Sequence, residues 1–176
     1  MKRFVSKIPY LAIFIVGIIL DYIVKHIVRT NMKIGDTIPL IRGVFHITYT
    51  ENTGAAFSSM QNQTVFLTIF TAVVIVMFIF LLMTKKIKPG FIYWCVAVVI
   101  AGGAGNFVDR IARGFVVDYI EPTFVNFAVF NFADCCVTVG AALLIIKTVY
   151  DLIRENKKYL SDDDKKAENG GDEKNV

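Results

Sequence analysis

Two aspartates have the spacing to form a paired-carboxylate site. Asp118 lies in a short apolar run between two long apolar segments, and Asp134 follows sixteen residues later, at the start of the second segment. A short re-entry of the chain would bring the two carboxyl groups face to face. Two close carboxyls in a partly dry place tend to share one proton, so that one takes a proton from water while the other polarises a peptide carbonyl. The pair therefore predicts hydrolysis by an aspartic mechanism.

The same two residues also have a structural interpretation, which the sequence leaves open. Asp134 would cap the helix that begins near it and complement the helix dipole, while Asp118 would pair with Arg113. In this case neither carboxylate takes part in chemistry.

Other nucleophiles and metal ligands are weaker candidates. The two histidines lack a second ligand at metal-binding spacing, and the serines lack a recognisable histidine base. Adjacent cysteines beside Asp134 lack the cationic neighbour that would lower a thiol pKa. We therefore expect no metal and no cofactor. The residues in question are His26, His46, Ser58, Ser59, Cys135 and Cys136.

Four long apolar segments must position the aspartates. They cover residues 8–28, 64–84, 91–108 and 130–149, and each is near the ~20 residues that cross a bilayer core of ~30 Å. The chain is 55% hydrophobic and only 19% charged, which favours a membrane protein over a water-soluble domain. The second segment has no charge, whereas a soluble bundle would show polar faces. The predicted fold class is a membrane all-α domain with four transmembrane helices.

The basic residues predict the orientation of these helices. Three groups of basic residues lie before the first segment, between the second and third segments, and after the fourth. With four membrane-spanning segments, all three positions are on one side of the membrane. That side should be the cytoplasm, so both termini are expected inside. The first segment lacks a cleavage site and should remain as an anchor. The three groups are Lys2, Arg3 and Lys7; Lys85, Lys86 and Lys88; and Arg154, Lys157 and Lys158.

The segments outside the helices divide into an outer sheet and a tail. Residues 29–63 should lie outside, and their β-branched and aromatic stretch 44–50 predicts a small extracytoplasmic β-sheet cradle. Residues 156–176 are polar, and together with Glu155 they contain seven acidic residues. This composition is typical of a disordered cytoplasmic tail. The expected organisation is a membrane domain over residues 1–155 followed by this tail.

Polar groups within the predicted helices gather at their outer ends. Ionisable groups in spans are expensive and default to a functional interpretation. Two i,i+4 ion pairs are expected, Asp21 with Lys25 and Lys147 with Asp151, and Asp109 with Arg110 should hold the outer helix ends together. The inner halves are nearly free of charge. The remaining outer polar residues of the spans are Asn106, Asn131 and Asp134.

This asymmetry favours an enzyme acting at the outer edge of the membrane. A transporter needs a site near the midplane and a channel needs a polar path, and neither is visible. A small proton-coupled transporter using the same aspartates and a non-catalytic membrane assembly factor remain as alternatives. Nucleic acid is not an expected partner, because no basic stripe interleaves with aromatic residues.

The polar residues also resemble, in order, the motifs of lipoprotein signal peptidase (signal peptidase II), a bacterial family of four-span aspartic peptidases. Each motif alone is weak, but five in one order are specific, and they cover roughly residues 8–155. The matching pieces are Asp21-x-x-x-Lys25, Asn52-x-Gly54-Ala55-Ala56-Phe57, Gly105-Asn106-x-x-Asp109-Arg110, Val116-Val117-Asp118-Tyr119 and Phe130-Asn131-x-Ala133-Asp134.

The resemblance implies an activity and roles for residues. Asp118 and Asp134 would be catalytic, and the substrates would be prolipoproteins cut just before a diacylglyceryl-modified cysteine. The enzyme would sit in the bacterial cytoplasmic membrane among its lipids, as a monomer, with its active site at the outer face. Cys135 and Cys136 depart from the small residues expected there. Binding or supporting residues would be Asn52, Gly54, Asn106, Asp109, Arg110, Asn131, Ala133, Asp21 and Lys25.

Overall fold

A computed structural model describes residues 8–54, 63–84 and 90–171. It contains four helices and one three-stranded sheet. The helices are α1 (Ile8–Asn31), α2 (Thr64–Met83), α3 (Phe91–Arg113) and α4 (Phe132–Gly171), and the strands are β1 (Thr37–Ile41), β2 (Phe45–Asn52) and β3 (Val116–Pro122).

All four helices are long and apolar enough to cross a membrane. Their burial differs sharply. The central helix α3 buries a row of residues from Tyr93 to Asp109 against its neighbours. By contrast, α2 has the highest mean hydropathy of the four, yet none of its residues is buried within the described part of the chain. A helix that is apolar all round and exposed is suited to contact with lipid. The predicted four-helix membrane fold is confirmed.

Glycines allow α3 and α4 to approach closely. A Cβ placed on Gly102 would lie 2.4 Å from the backbone oxygen of Ala133, and one on Gly140 would lie 2.8 Å from a methyl of Val99. Small residues at helix interfaces in membranes permit such backbone contact, which is how these helices associate without a hydrophobic driving force. The approach at Gly102 brings α3 against the first turn of α4.

The sheet is antiparallel, in the order β1-β2-β3. The sequence predicts the small sheet from residues 29–63 alone, but its third strand comes from the connection between α3 and α4. The apolar and β-branched run from Phe115 to Ile120 is the signal for this strand. Asp118 therefore lies on a strand that pairs with β2, opposite Thr50.

Alternation along β3 separates the core from the polar site. Val117 and Tyr119 pack with Tyr49 and Val28 in a buried apolar cluster. Successive side chains of a strand point to opposite faces, so Asp118 faces away from this cluster. The core beneath the sheet thus fixes the direction of one carboxylate.

The described residues form two compact units, one up to Ala141 and one from Ala142 onward. The second unit is the later part of α4, and it contains the predicted pair of Lys147 with Asp151. Helix α4 continues to Gly171, past residue 155, where the sequence predicted that a disordered tail begins. The division of the chain at residue 155 stays a prediction.

Some predicted features lie outside the described residues. These are part of the cradle segment and its motif (55–62, including Ala55, Ala56, Phe57, Ser58 and Ser59), the basic residues Lys2, Arg3, Lys7, Lys85, Lys86 and Lys88, and the chain end 172–176.

The close packing at Gly102 yields a prediction with a neighbouring control. Gly102→Ala should lower the thermal unfolding midpoint in detergent, because backbone would have to move, at a cost of about 1–3 kcal/mol. Gly103→Ala meets only ordinary contacts of 3.6 Å or more and should leave the midpoint unchanged or raise it. Equal midpoints for the two variants would contradict the packing described here.

Candidate active site

Asp118 is buried on β3 and has a hydrogen-bond donor for each carboxylate oxygen. Asn52 lies on the neighbouring strand, and its amide nitrogen donates to Oδ2 at 2.9 Å. The amide nitrogen of Asn131 donates to Oδ1 at 2.6 Å. Asn52 in turn accepts the backbone N–H of Gly54 at 2.8 Å through its own oxygen, which fixes the amide with its nitrogen toward Asp118.

Asp134 lies in the first turn of α4 and closes a capping box with Asn131. The Asn131 side-chain oxygen accepts the N–H of Asp134 at 3.0 Å, and Asp134 Oδ2 accepts the N–H of Asn131 at 3.1 Å. Such reciprocal bonds satisfy two helix-end donors at once. The other oxygen of Asp134 accepts the amide of Asn106 at 2.7 Å.

The two aspartates meet in one network. Asn131 contacts both of them, and Asp118 and Asp134 line the same cavity. The structural interpretation is confirmed for Asp134 in that it caps α4, but it is wrong for Asp118, since Arg113 pairs with Asp109 instead. Among the described residues each Asp134 oxygen accepts one hydrogen bond and a carboxylate oxygen can accept two, so a structural and a chemical task are compatible in one residue.

A buried charge cluster supports the pair from behind. The ammonium of Lys25, 1% exposed, lies 2.7 Å from Asp21 Oδ2 and 3.0 Å from Asp109 Oδ2. Its third contact is a 2.8 Å hydrogen bond to the side-chain oxygen of Asn106. The ion pair predicted between Asp21 and Lys25 is confirmed. Three acceptors match the three protons of an ammonium group, as a buried charge requires.

The cluster also fixes backbone at both aspartates. Asp21 Oδ1 accepts the N–H of Ala133, next to Asp134, at 3.1 Å. Asp109 Oδ2 accepts the N–H of Val117, next to Asp118, at 3.4 Å. One set of charges on α1 and α3 therefore positions the start of α4 and the middle of β3.

Arg110, which is expected with Asp109 to hold the outer helix ends together, forms no ion pair with that aspartate among the described residues. Its guanidinium instead donates to the carbonyl of Gly54 at 3.1 Å and lines the cavity. Its Nε is buried and has no hydrogen-bond partner among the described residues. A buried donor without a partner carries a free-energy cost.

The cavity has a volume of about 630 Å³ and two kinds of wall. At one end lie the aspartates with Asn52, Asn106 and Arg110. The remaining wall is mostly apolar, with Phe70, Val74 and Phe78 from α2 and Val99 and Ile100 from α3. Ligand sites commonly combine apolar walls with a few placed polar groups.

The environment of Asp118 changes its acidity. Burial, and then the neighbouring charge of Asp134, raise the pKa of Asp118 to about 6, although the hydrogen bonds from Asn52 and Asn131 lower it. A carboxyl with such a pKa holds a proton in more neutral conditions than an ordinary aspartate does. A perturbed carboxyl in a cavity is a mark of a functional site.

The sequence prediction missed contacts that only the fold creates. The Tyr119 hydroxyl accepts the N–H of Phe132 at 3.2 Å and so supports the first turn of α4. Glu51, which had no predicted role, accepts the Tyr49 hydroxyl at 2.7 Å. All three cysteines are free, and Cys135 lines the cavity. No group of His, Cys, Asp and Glu among the described residues could hold a metal ion.

The fold and site define a class of protein: a multi-pass membrane enzyme in which two aspartates line one cavity, an arrangement consistent with an aspartic peptidase. The chain belongs to the signal peptidase II family, whose model, described as "Signal peptidase (SPase) II", matches residues 13–150.

Similar known proteins agree with this family. The lipoprotein signal peptidase of Streptococcus thermophilus is 42% identical over 139 residues, covering 79% of this chain and 90% of its own length. That of Lactococcus lactis is 40% identical over 146 residues, covering 83% and 97%. A solved structure described as a bacterial membrane enzyme superposes with a TM-score of 0.78 and 31% identity, covering 82% of this chain and 89% of that one.

The raised pKa of Asp118 can be tested through its neighbour. In Asp134→Asn the pKa of Asp118 should fall below about 6, because a negative charge is removed, but stay above the ordinary 3.8, because burial remains. Infrared spectra across a pH series measure this pKa through the carboxyl stretching band. The Asp118→Asn/Asp134→Asn variant gives the reference spectrum without Asp118. Since the folded-state pKa is raised, protonated Asp118 stabilises the fold below the ordinary pKa, and this stabilisation is lost as the pH rises through about 6. An unchanged or higher pKa would refute the coupling.

Proposed function

We propose that this protein removes the signal peptide from prolipoproteins whose cysteine carries a diacylglyceryl group, cutting just before that cysteine. Asp118 and Asp134 are the catalytic residues of this proposal. The observation that carries it is that both carboxylates line one cavity and are joined through Asn131. The names of the relatives support the substrate class.

The proposed reaction uses one proton shared by the two carboxyls. The ionised carboxylate takes a proton from water as the water oxygen attacks the peptide carbonyl, and the protonated carboxyl donates to the carbonyl oxygen. The tetrahedral diol collapses when the leaving amine takes a proton from one carboxyl and the C–N bond breaks, while a diol hydroxyl returns its proton to the other carboxylate, so the pair again holds one proton. Such a pair has macroscopic pKa values that belong to both residues, which is why the raised pKa of Asp118 supports this chemistry.

The two walls of the cavity support a lipid-modified peptide as substrate. Apolar side chains of α2 and α3 would contact the acyl chains or the apolar signal segment. Arg110, whose Nε has no hydrogen-bond partner among the described residues, would bind a substrate carbonyl beside the aspartates. Asn52, Asn106 and Asn131 would hold the carboxylates rather than the substrate, since each donates to one of them.

We also propose a location and a domain division. The protein lies in the bacterial cytoplasmic membrane as a monomer among lipids, with both termini in the cytoplasm and the active site at the outer face, as the basic residues favour. Residues 1–155 form the peptidase domain, and the family match ending at residue 150 supports a boundary near there.

The catalytic assignment predicts loss of cleavage. Asp118→Asn and Asp134→Asn should each reduce cleavage of a diacylated prolipoprotein in membranes by at least about a thousandfold, because no carboxyl pair remains to share the proton. Asp151→Asn, which changes a helical aspartate paired with Lys147, should cleave normally. Normal cleavage by both site variants would show that the pair is not catalytic.

The orientation predicts the behaviour of C-terminal fusions. A green fluorescent protein at the C-terminus should fluoresce and an alkaline phosphatase there should be inactive, because the first folds in the cytoplasm and the second needs the oxidising outer side. The reverse pattern would place the C-terminus outside.

A further inference from the structure

Lys25 contacts the catalytic network without reaching the cavity. It is buried to 1% exposure and is not among the residues that line the cavity in the described part of the chain. Its ammonium is nevertheless 2.8 Å from the side-chain oxygen of Asn106, and the nitrogen of the same amide donates to Asp134 at 2.7 Å. A single amide group therefore joins Lys25 to a proposed catalytic carboxylate.

The orientation of that amide is the decisive point. The oxygen and nitrogen ends of an asparagine have nearly the same shape, so their partners decide which way the group turns. An ammonium group can only donate, so the end that faces Lys25 has to be the oxygen. Asn131 donates to the same oxygen at 3.2 Å. The NH2 end of the Asn106 amide is therefore turned toward Asp134. If the amide were reversed, its oxygen would face the Asp134 carboxylate and the two would repel.

We propose that Lys25 is a positioning residue for peptide hydrolysis, acting through Asn106 to keep a hydrogen-bond donor on Asp134. This inference rests on the proposed function of the aspartate pair. It assigns Lys25 a role distinct from neutralising the buried carboxylates of Asp21 and Asp109. Charge neutralisation alone would affect folding, whereas control of the amide affects the chemical step.

A double-mutant cycle separates these two roles. Purified protein in lipid is given a peptide that carries a diacylglyceryl cysteine, and kcat and KM are measured. Lys25→Met should lower kcat about a hundredfold, since misplacing a group at the reacting centre costs that much. KM should stay within about twofold, because Lys25 does not line the cavity. In an Asn106→Leu background, Lys25→Met should change kcat by no more than about twofold, since the residue it acts through is gone.

Two further variants control for folding. Lys147→Met removes another lysine from an i,i+4 pair with an aspartate and should leave kcat unchanged. Asp21→Asn/Lys25→Met balances the buried charge, and it should regain the thermal unfolding midpoint while kcat stays low.

Each other result has a distinct meaning. Additive losses in the cycle, or recovery of kcat in the charge-balanced variant, would overturn the positioning role while leaving the proposed function intact. Failure of the folded unmodified protein to cleave the peptide would overturn the proposed function, and this inference with it.

Discussion

The buried ammonium of Lys25 is the interaction on which the rest of the site depends. A charge taken out of water must be compensated, and here the compensation comes from α1 and α3 through Asp21, Asp109 and Asn106. The two aspartates also hold backbone N–H groups: Asp109 accepts that of Val117 with the same Oδ2 that faces Lys25, and Asp21 accepts that of Ala133 with its other oxygen. Satisfying one charge thus fixes two backbone positions, each adjacent to a catalytic candidate. Removing that charge would leave Asp21 without a cation among the described residues and Asp109 with Arg113 alone, so cluster and site are expected to persist or fail together.

The two carboxylates are held by different kinds of secondary structure. Asp118 is directed by strand alternation over an apolar core, and Asp134 by the hydrogen bonds of a helix start. Neither depends on a flexible loop, and each asparagine around them has its oxygen occupied so that its nitrogen faces a carboxylate. Preorganised donors of this kind need no rearrangement during reaction. Geometry is therefore set by folding rather than by substrate.

Much of this organisation could be predicted from the sequence, because the bilayer imposes strong rules on length and polarity. Four spans, a small sheet and the polar residues at the helix ends followed from apolar runs and local spacing. Contacts between distant segments could not be predicted. The pairing of Asp109 with Lys25 and Arg113 rather than Arg110, and the joining of β3 to β2, depend on which faces meet after helices pack. The i,i+4 spacing predicts which residues are neighbours on one helix. The partner of a buried charge can also come from another helix, and sequence spacing does not identify that partner.

The exposure of α2 carries a consequence for how such an enzyme works in a cell. This helix supplies Phe70, Val74 and Phe78 to the cavity, yet none of its own residues is buried within the described part of the chain. The face of α2 that points away from the cavity must contact lipid acyl chains, so the bilayer supports this wall of the cavity from outside. Thickness and fluidity then become parameters of catalysis, in the way that pH and ionic strength are for a water-soluble hydrolase. Turnover measured in a detergent micelle and turnover in a native membrane describe two differently bounded active sites.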